Sequence, residues 1–137
     1  MKLRYLKILF ASCFFSFLAC NKETANTQSD IIKGMLVNKT WYLDYTVMGT
    51  STKSYLGQST YFVTYLKDGS LSDSDGLKGN YTIEFANNSA QIHVKVKTIN
   101  NNPLEVVYDI VTTGDNKLVL SKQEISGTPI QYYFTSK

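Results

Sequence analysis

Few side chains in this 137-residue sequence are of a type and spacing that could do chemistry, and the most informative is a thiol. Cys20 directly follows Phe17-Leu18-Ala19 at the end of a short apolar run. A cysteine placed directly after a small residue, at the end of an export leader, is what cleavage and thioether lipidation require. Cleavage before Cys20 would make it an acylated N-terminus, with the rest of the chain tethered to a membrane. The other reactive types are sparse. His93 is the only histidine and lies between Lys95 and Gln91 on the polar side of an alternating run, which supports neither a multi-imidazole metal site nor a Ser/His/acid triad. Asp73, Asp75 and Gly76 invite comparison with a calcium loop, but the fifth and sixth positions counted from Asp73 are Leu77 and Lys78, so a solvated turn is expected. No catalytic residue, metal or cofactor is expected, and the protein reads as a non-enzyme. Five aromatic residues, Trp41, Tyr81, Tyr108, Tyr132 and Phe134, fall on the apolar side of alternating runs and are the candidate ligand-binding residues.

The segments that would position these residues begin with the leader. Lys2, Arg4 and Lys7 precede an apolar stretch, residues 8–18, broken only by Ser12, Cys13 and Ser16. That stretch is shorter than the roughly 20 residues of helix needed to cross a bilayer, so a signal peptide over residues 1–19 is expected rather than a transmembrane anchor. Three of the 14 basic residues lie in this leader, leaving 11 against 11 acidic ones in the remaining chain. A formally neutral domain with no arginine after Arg4 gives no basic face for nucleic acid. Cys13 would leave with the leader and Cys20 would carry acyl chains, so the exported domain must be held by its core rather than by disulfides. The 118 residues from Cys20 onward suffice for one such domain.

Residues 20–28 are polar and read as a flexible tether, leaving residues 29–137 as the domain. Ser29 or Asp30 can cap a short helix carrying Ile31, Ile32, Met35 and Leu36 on one stripe. From Thr40 the period changes to two. Trp41, Leu43, Tyr45 and Val47 share one face of a strand, with Tyr42, Asp44 and Thr46 on the other. A Ser/Thr-rich loop over residues 49–57 leads to a strand over 58–67 that is apolar on both faces, followed by an Asp68-Gly69 turn. Strands follow at 79–85, 90–98, 104–112, 117–123 and 129–135, separated by turns at Asn87-Asn88, 100–103, 114–116 and Ser126-Gly127. A hairpin tip near Asn101 would set Ile92, Val94 and Val96 against Ile110, Tyr108 and Val106, and His93 and Lys97 against Asp109 and Glu105.

About eight short strands joined by hairpin-length loops must hide two sheet edges, and closure into a barrel removes both. The expected fold is all-β: a single eight-stranded antiparallel up-and-down barrel with a short N-terminal helix, a β-sandwich being the alternative. Several short motifs are similar, in their order, to those of the small lipocalin-like lipoproteins of Gram-negative bacteria, over roughly residues 36–134. They are Thr40-Trp41, Tyr65-Leu66-Lys67-Asp68-Gly69, Gly79-Asn80-Tyr81 and Asp115-Asn116-Lys117-Leu118-Val119-Leu120. Lys39 stands where that family usually has a glycine, and no arginine is available to stack on Trp41. The resemblance implies an antiparallel barrel and a lipid-anchored place in the cell envelope, at the outer membrane, with the face toward periplasm or exterior left open. Two functions are expected on these grounds. One is a barrel binding a small apolar or amphipathic ligand under the five aromatics. The other is a non-enzymatic envelope scaffold or protein-interaction module filled by the same side chains, with its protein partner unspecified. Without arginine a carboxylate head group would meet only lysine, which favours a neutral amphiphile over a fatty acid.

Overall fold

The computed structural model describes residues 27–57, 61–86, 89–97 and 102–137. The expected signal peptide at 1–19, Cys20, most of the tether and the tips at Asn87-Asn88 and 98–101 lie outside the described residues. A helix occupies residues 27–36 and so includes Thr27 and Gln28, which the sequence assigns to the tether. It ends where Asn38 takes a positive φ of 60°, a conformation that asparagine tolerates better than most side chains. The Asn38 amide then donates to the Tyr65 carbonyl at 3.2 Å, which ties the end of the helix to the sheet.

Nine strand segments follow: β1 (Thr40–Met48), β2 (Ser51–Ser54), β3 (Phe62–Tyr65), β4 (Ser70–Asp73), β5 (Lys78–Ala86), β6 (Ser89–Lys97), β7 (Pro103–Thr113), β8 (Lys117–Gln123) and β9 (Pro129–Ser136). Neighbours pair antiparallel, and β1 also pairs with β9 from Trp41↔Ser136 to Met48↔Ile130, which closes the sheet. The ring has eight staves because β2 and β3 occupy successive halves of one edge of β1, β2 against residues 45–48 and β3 against residues 40–42. The result is a single closed antiparallel up-and-down barrel with a short N-terminal helix, consistent with a lipocalin-like fold.

Alternation of hairpins gives the barrel two ends. The helix, the β3–β4 turn and the β7–β8 turn lie at one end, here the floor. The β1–β2, β4–β5, β6–β7 and β8–β9 connections lie at the other, the mouth. Trp41 and Leu36 are fully buried at the floor, where the Trp41 indole Nε1 donates to the Leu36 carbonyl at 2.9 Å. Lys39 places its ammonium 5.6 Å from the Trp41 ring centroid and donates to the Asp115 carbonyl at 2.7 Å. A lysine therefore stands over the tryptophan of a chain that lacks the stacking arginine, and cation–π attraction adds to the closure. At Gly79 the neighbouring strand approaches so closely that a Cβ would run into the Lys95 carbonyl oxygen and the Val96 side chain, which explains a glycine within β5.

Five local expectations change. The segment 49–57 is not wholly loop, since Ser51–Ser54 pair with β1, and Ser70–Asp73 form β4 ahead of the expected turn. The apolar face of β1 does not continue through Tyr45 and Val47. A bulge between Leu43 and Tyr45 inserts one residue relative to β9, so Leu43 pairs with inward Phe134 whereas Tyr45 pairs with Tyr133 and stacks on it at 4.3 Å outside. One extra residue exchanges the faces of everything beyond it. The second strand is shorter than residues 58–67: among its described residues the ladder covers Phe62–Tyr65, and Tyr55 and Tyr61 bond singly to the β1 backbone on either side of the excursion between them. Finally, β6 and β7 pair two residues away from the expected register. Ile92 faces Tyr108, Val94 faces Val106, Val96 faces Leu104, His93 faces Val107 and Lys95 faces Glu105. A shift of two leaves every side chain on its face, so the apolar pattern that specifies the face does not choose between the two registers.

Candidate functional site

Above the floor the inner face leaves a cavity of about 400 Å3 that opens toward the mouth. Its apolar wall is Leu43, Val63, Leu71, Val94, Leu120 and Phe134, one or two residues from each of several strands. Its polar wall is five phenols, Tyr55, Tyr61, Tyr65, Tyr108 and Tyr132, with the Asp75 carboxylate at the rim. The composition is that of a small-molecule site: mostly apolar surface with a few convergent polar groups.

Strand phase explains most of this wall. Tyr61, Val63 and Tyr65 alternate along one strand direction with Phe62 and Thr64 outside, and Phe62 packs on Tyr42 with ring centroids 5.7 Å apart. The β8–β9 register sets Leu120 opposite Tyr132, and Val94 and Tyr108, which are diagonal rather than paired across β6–β7, line the same cavity. Tyr108 and Tyr132 meet edge to face, with ring centroids 5.8 Å apart and planes at 85°, and so form a corner of the cavity.

The phenols sit in a medium that disfavours negative charge. Burial pushes the Tyr61 hydroxyl up, and the Asp73 carboxylate reinforces this by charge and by accepting its hydrogen bond at 3.2 Å. Burial likewise raises Tyr65, Tyr108 and Tyr132. These four are neutral hydroxyls at physiological pH. Asp73 is held in place from behind, because its other oxygen accepts the amides of Asp75 and Leu77 at 3.0 and 2.9 Å. The residues that suggested a calcium loop thus form a carboxylate-capped turn at the cavity rim. Lys122 and Glu124 form an ion pair at 2.8 Å beside the Tyr108 and Tyr132 hydroxyls.

Of the five aromatics expected to hold a ligand, Tyr108, Tyr132 and Phe134 line the cavity. Trp41 and Tyr81 belong to the floor beneath it: Tyr81 donates its hydroxyl to the Leu66 carbonyl at 2.8 Å and packs edge-on against Tyr65 at 5.0 Å. Tyr55, Tyr61 and Tyr65 were not singled out by the sequence. Tyr55 lies in a stretch that reads as loop, and the run from Tyr61 to Tyr65 is aromatic or apolar on both faces, so its phase is ambiguous. The i, i+2, i+4 spacing of Tyr61, Val63 and Tyr65 is the signal that could have found them. His93 lies outside the cavity wall, with Nδ1 3.2 Å from Glu105 and Nε2 3.8 Å from Glu84. Among the described residues, no group of three or more His, Cys, Asp or Glu side chains is placed to hold a metal ion.

No family model matches this sequence, and no curated protein or solved structure shows significant similarity to it.

Proposed function

We propose that this chain is an exported, lipid-anchored, non-enzymatic binding protein of the bacterial envelope, whose barrel holds a small amphipathic molecule. The observation that carries the binding reading is the cavity itself. At about 400 Å3 it exceeds the lower bound of about 300 Å3 for small-molecule sites, and its wall combines six aliphatic or phenyl side chains with five phenols and one carboxylate. The anchoring reading rests on the leader and on Cys20. Acylation stabilises membrane association by about 0.8 kcal/mol per buried methylene, so more than one chain holds a protein at the bilayer almost permanently.

The binding reading is tested by titrating the domain with a neutral alkyl amphiphile such as n-decanol, below its aggregation limit, and following heat or tyrosine fluorescence. Saturable one-to-one binding that Leu120→Trp abolishes by filling the cavity is the expected result, and a flat titration overturns it. The anchor is tested separately by membrane fractionation and labelled palmitate: Cys20→Ser should release the protein and remove the label.

A second reading, an envelope protein-interaction module, is favoured by a specific feature of the mouth. Met48, Leu56, Leu77, Leu104 and Ile125 are all exposed, one on or beside each connection at that end and one on the excursion after β2. Ile125 is fully exposed and Leu56 is 67% exposed. Five apolar tips around one opening are a contact surface. They fit a partner that covers the mouth, and a flat titration would leave this reading in place.

A further inference from the structure

Resting on the binding reading, we infer that the cavity selects an amphiphile whose polar end is an organic cation, an amine or quaternary ammonium, over one ending in a hydroxyl or a carboxylate. Four observations converge on this. First, among the described residues that line the cavity the one acidic or basic side chain is a carboxylate, Asp75; a second carboxylate, Asp73, stands directly behind Tyr61. Second, the cation nearest the Tyr108–Tyr132 corner, Lys122, is already neutralised by Glu124 at 2.8 Å and is not a free counterion for an anionic head. Third, that corner offers two rings at 85° to one another, and a cation seated in it is attracted by both ring quadrupoles. Fourth, a ring of this wall already has an ammonium partner, since Lys53 Nζ lies 5.0 Å from the centroid of Tyr55.

An anionic head entering the same space would lose its hydration, face Asp75 and gain neutral phenol donors, the Lys53 ammonium beside the wall being already seated on the Tyr55 ring. Burial, the first cause of the raised phenol pKa values, penalises charge of either sign; the carboxylate of Asp73 behind Tyr61 is the part of the surroundings that opposes negative charge in particular. A quaternary ammonium has no N–H to satisfy and a diffuse positive charge, so it asks of the site what aromatic faces and a rim carboxylate supply.

The test compares three ligands with the same ten-carbon chain, decyltrimethylammonium, decanol and decanoate, by calorimetry below their aggregation limits. The ammonium is expected to bind about tenfold more tightly than the alcohol, the size expected from partly desolvated cation–π contacts, with decanoate weakest. Asp75→Asn should reduce the ammonium-to-alcohol ratio by about threefold, and added salt should erode the same preference. Tyr108→Leu should reduce it as well, and the folded state of each variant is checked by its near-ultraviolet circular dichroism. If decanol or decanoate binds as tightly as the ammonium, the inference fails and the binding reading stands. If all three titrations are flat, the binding reading fails first.

Discussion

At the floor, the large side chains give their polar atoms to backbone carbonyls: Trp41 to Leu36, Tyr81 to Leu66 and Lys39 to Asp115. At the mouth, the corresponding links run between side chains, Tyr61 to Asp73 and Lys122 to Glu124. The difference has a physical consequence. The three acceptors belong to the helix end and to the β3–β4 and β7–β8 turns, so each bond pins a floor connection to a side chain at the base of the barrel. At the mouth Asp73 is itself held by the amides of Asp75 and Leu77, whereas partly exposed Glu124 can rotate through staggered rotamers, so the Lys122–Glu124 side is the one that can rearrange around an occupant.

Substitutions that act at one end should therefore differ in kind from those at the other. The largest effect is expected for Trp41→Ala, which removes a fully buried indole and its bond to Leu36; a loss of about 3–5 kcal/mol in denaturant unfolding is expected. A loss under about 1 kcal/mol would show that the floor is not the stabilising end. Next comes Tyr81→Phe, which keeps the ring but leaves the Leu66 carbonyl without its phenol donor, at a cost of about 1–2 kcal/mol.

Alkaline pH probes both ends together. The Tyr81 hydroxyl is pushed up to about 12, chiefly by burial, and the cavity phenols are raised in the same direction. Below the ordinary tyrosine value of about 10, folded and unfolded chains hold these protons equally and stability is unaffected by them. Above it the unfolded chain releases protons that the folded chain keeps, so stability should fall as pH rises from about 10 toward 12. Tyr81→Phe should lessen that fall, as measured by urea midpoints across the range, and an unchanged slope would remove Tyr81 from its cause. The smallest effect belongs to the mouth: Lys122→Gln breaks a partly exposed pair and should cost less than about 1 kcal/mol. A larger loss would mean that the mouth is as tightly built as the floor.

Much of the architecture is legible in the residue pattern. Period-two runs such as Ile92, Val94 and Val96, punctuated by Asp68-Gly69, 114–116 and Ser126-Gly127, specify short antiparallel strands, and their number and hairpin spacing favour a closed barrel over the alternative sandwich, as the β1–β9 pairing then shows. The identity of the inward residues in most strands follows from the same alternation. Which inward residues form the ligand wall does not follow from it. A face is a property of one strand, whereas height within the barrel is set by pairing with its neighbours. Registers that differ by two, as between Ile92↔Tyr108 and Ile92 against Ile110, give identical faces and different heights. The bulge at Leu43/Tyr45 and the excursion between Tyr55 and Tyr61 are equally invisible to periodicity, because each changes how many residues oppose one partner rather than which residues are apolar. Tertiary structure alone therefore decided that Trp41 and Tyr81 close the floor while Tyr55, Tyr61 and Tyr65 join Tyr108, Tyr132 and Phe134 around the cavity: side-chain chemistry is carried by the sequence, but position along the barrel axis is a relation between strands.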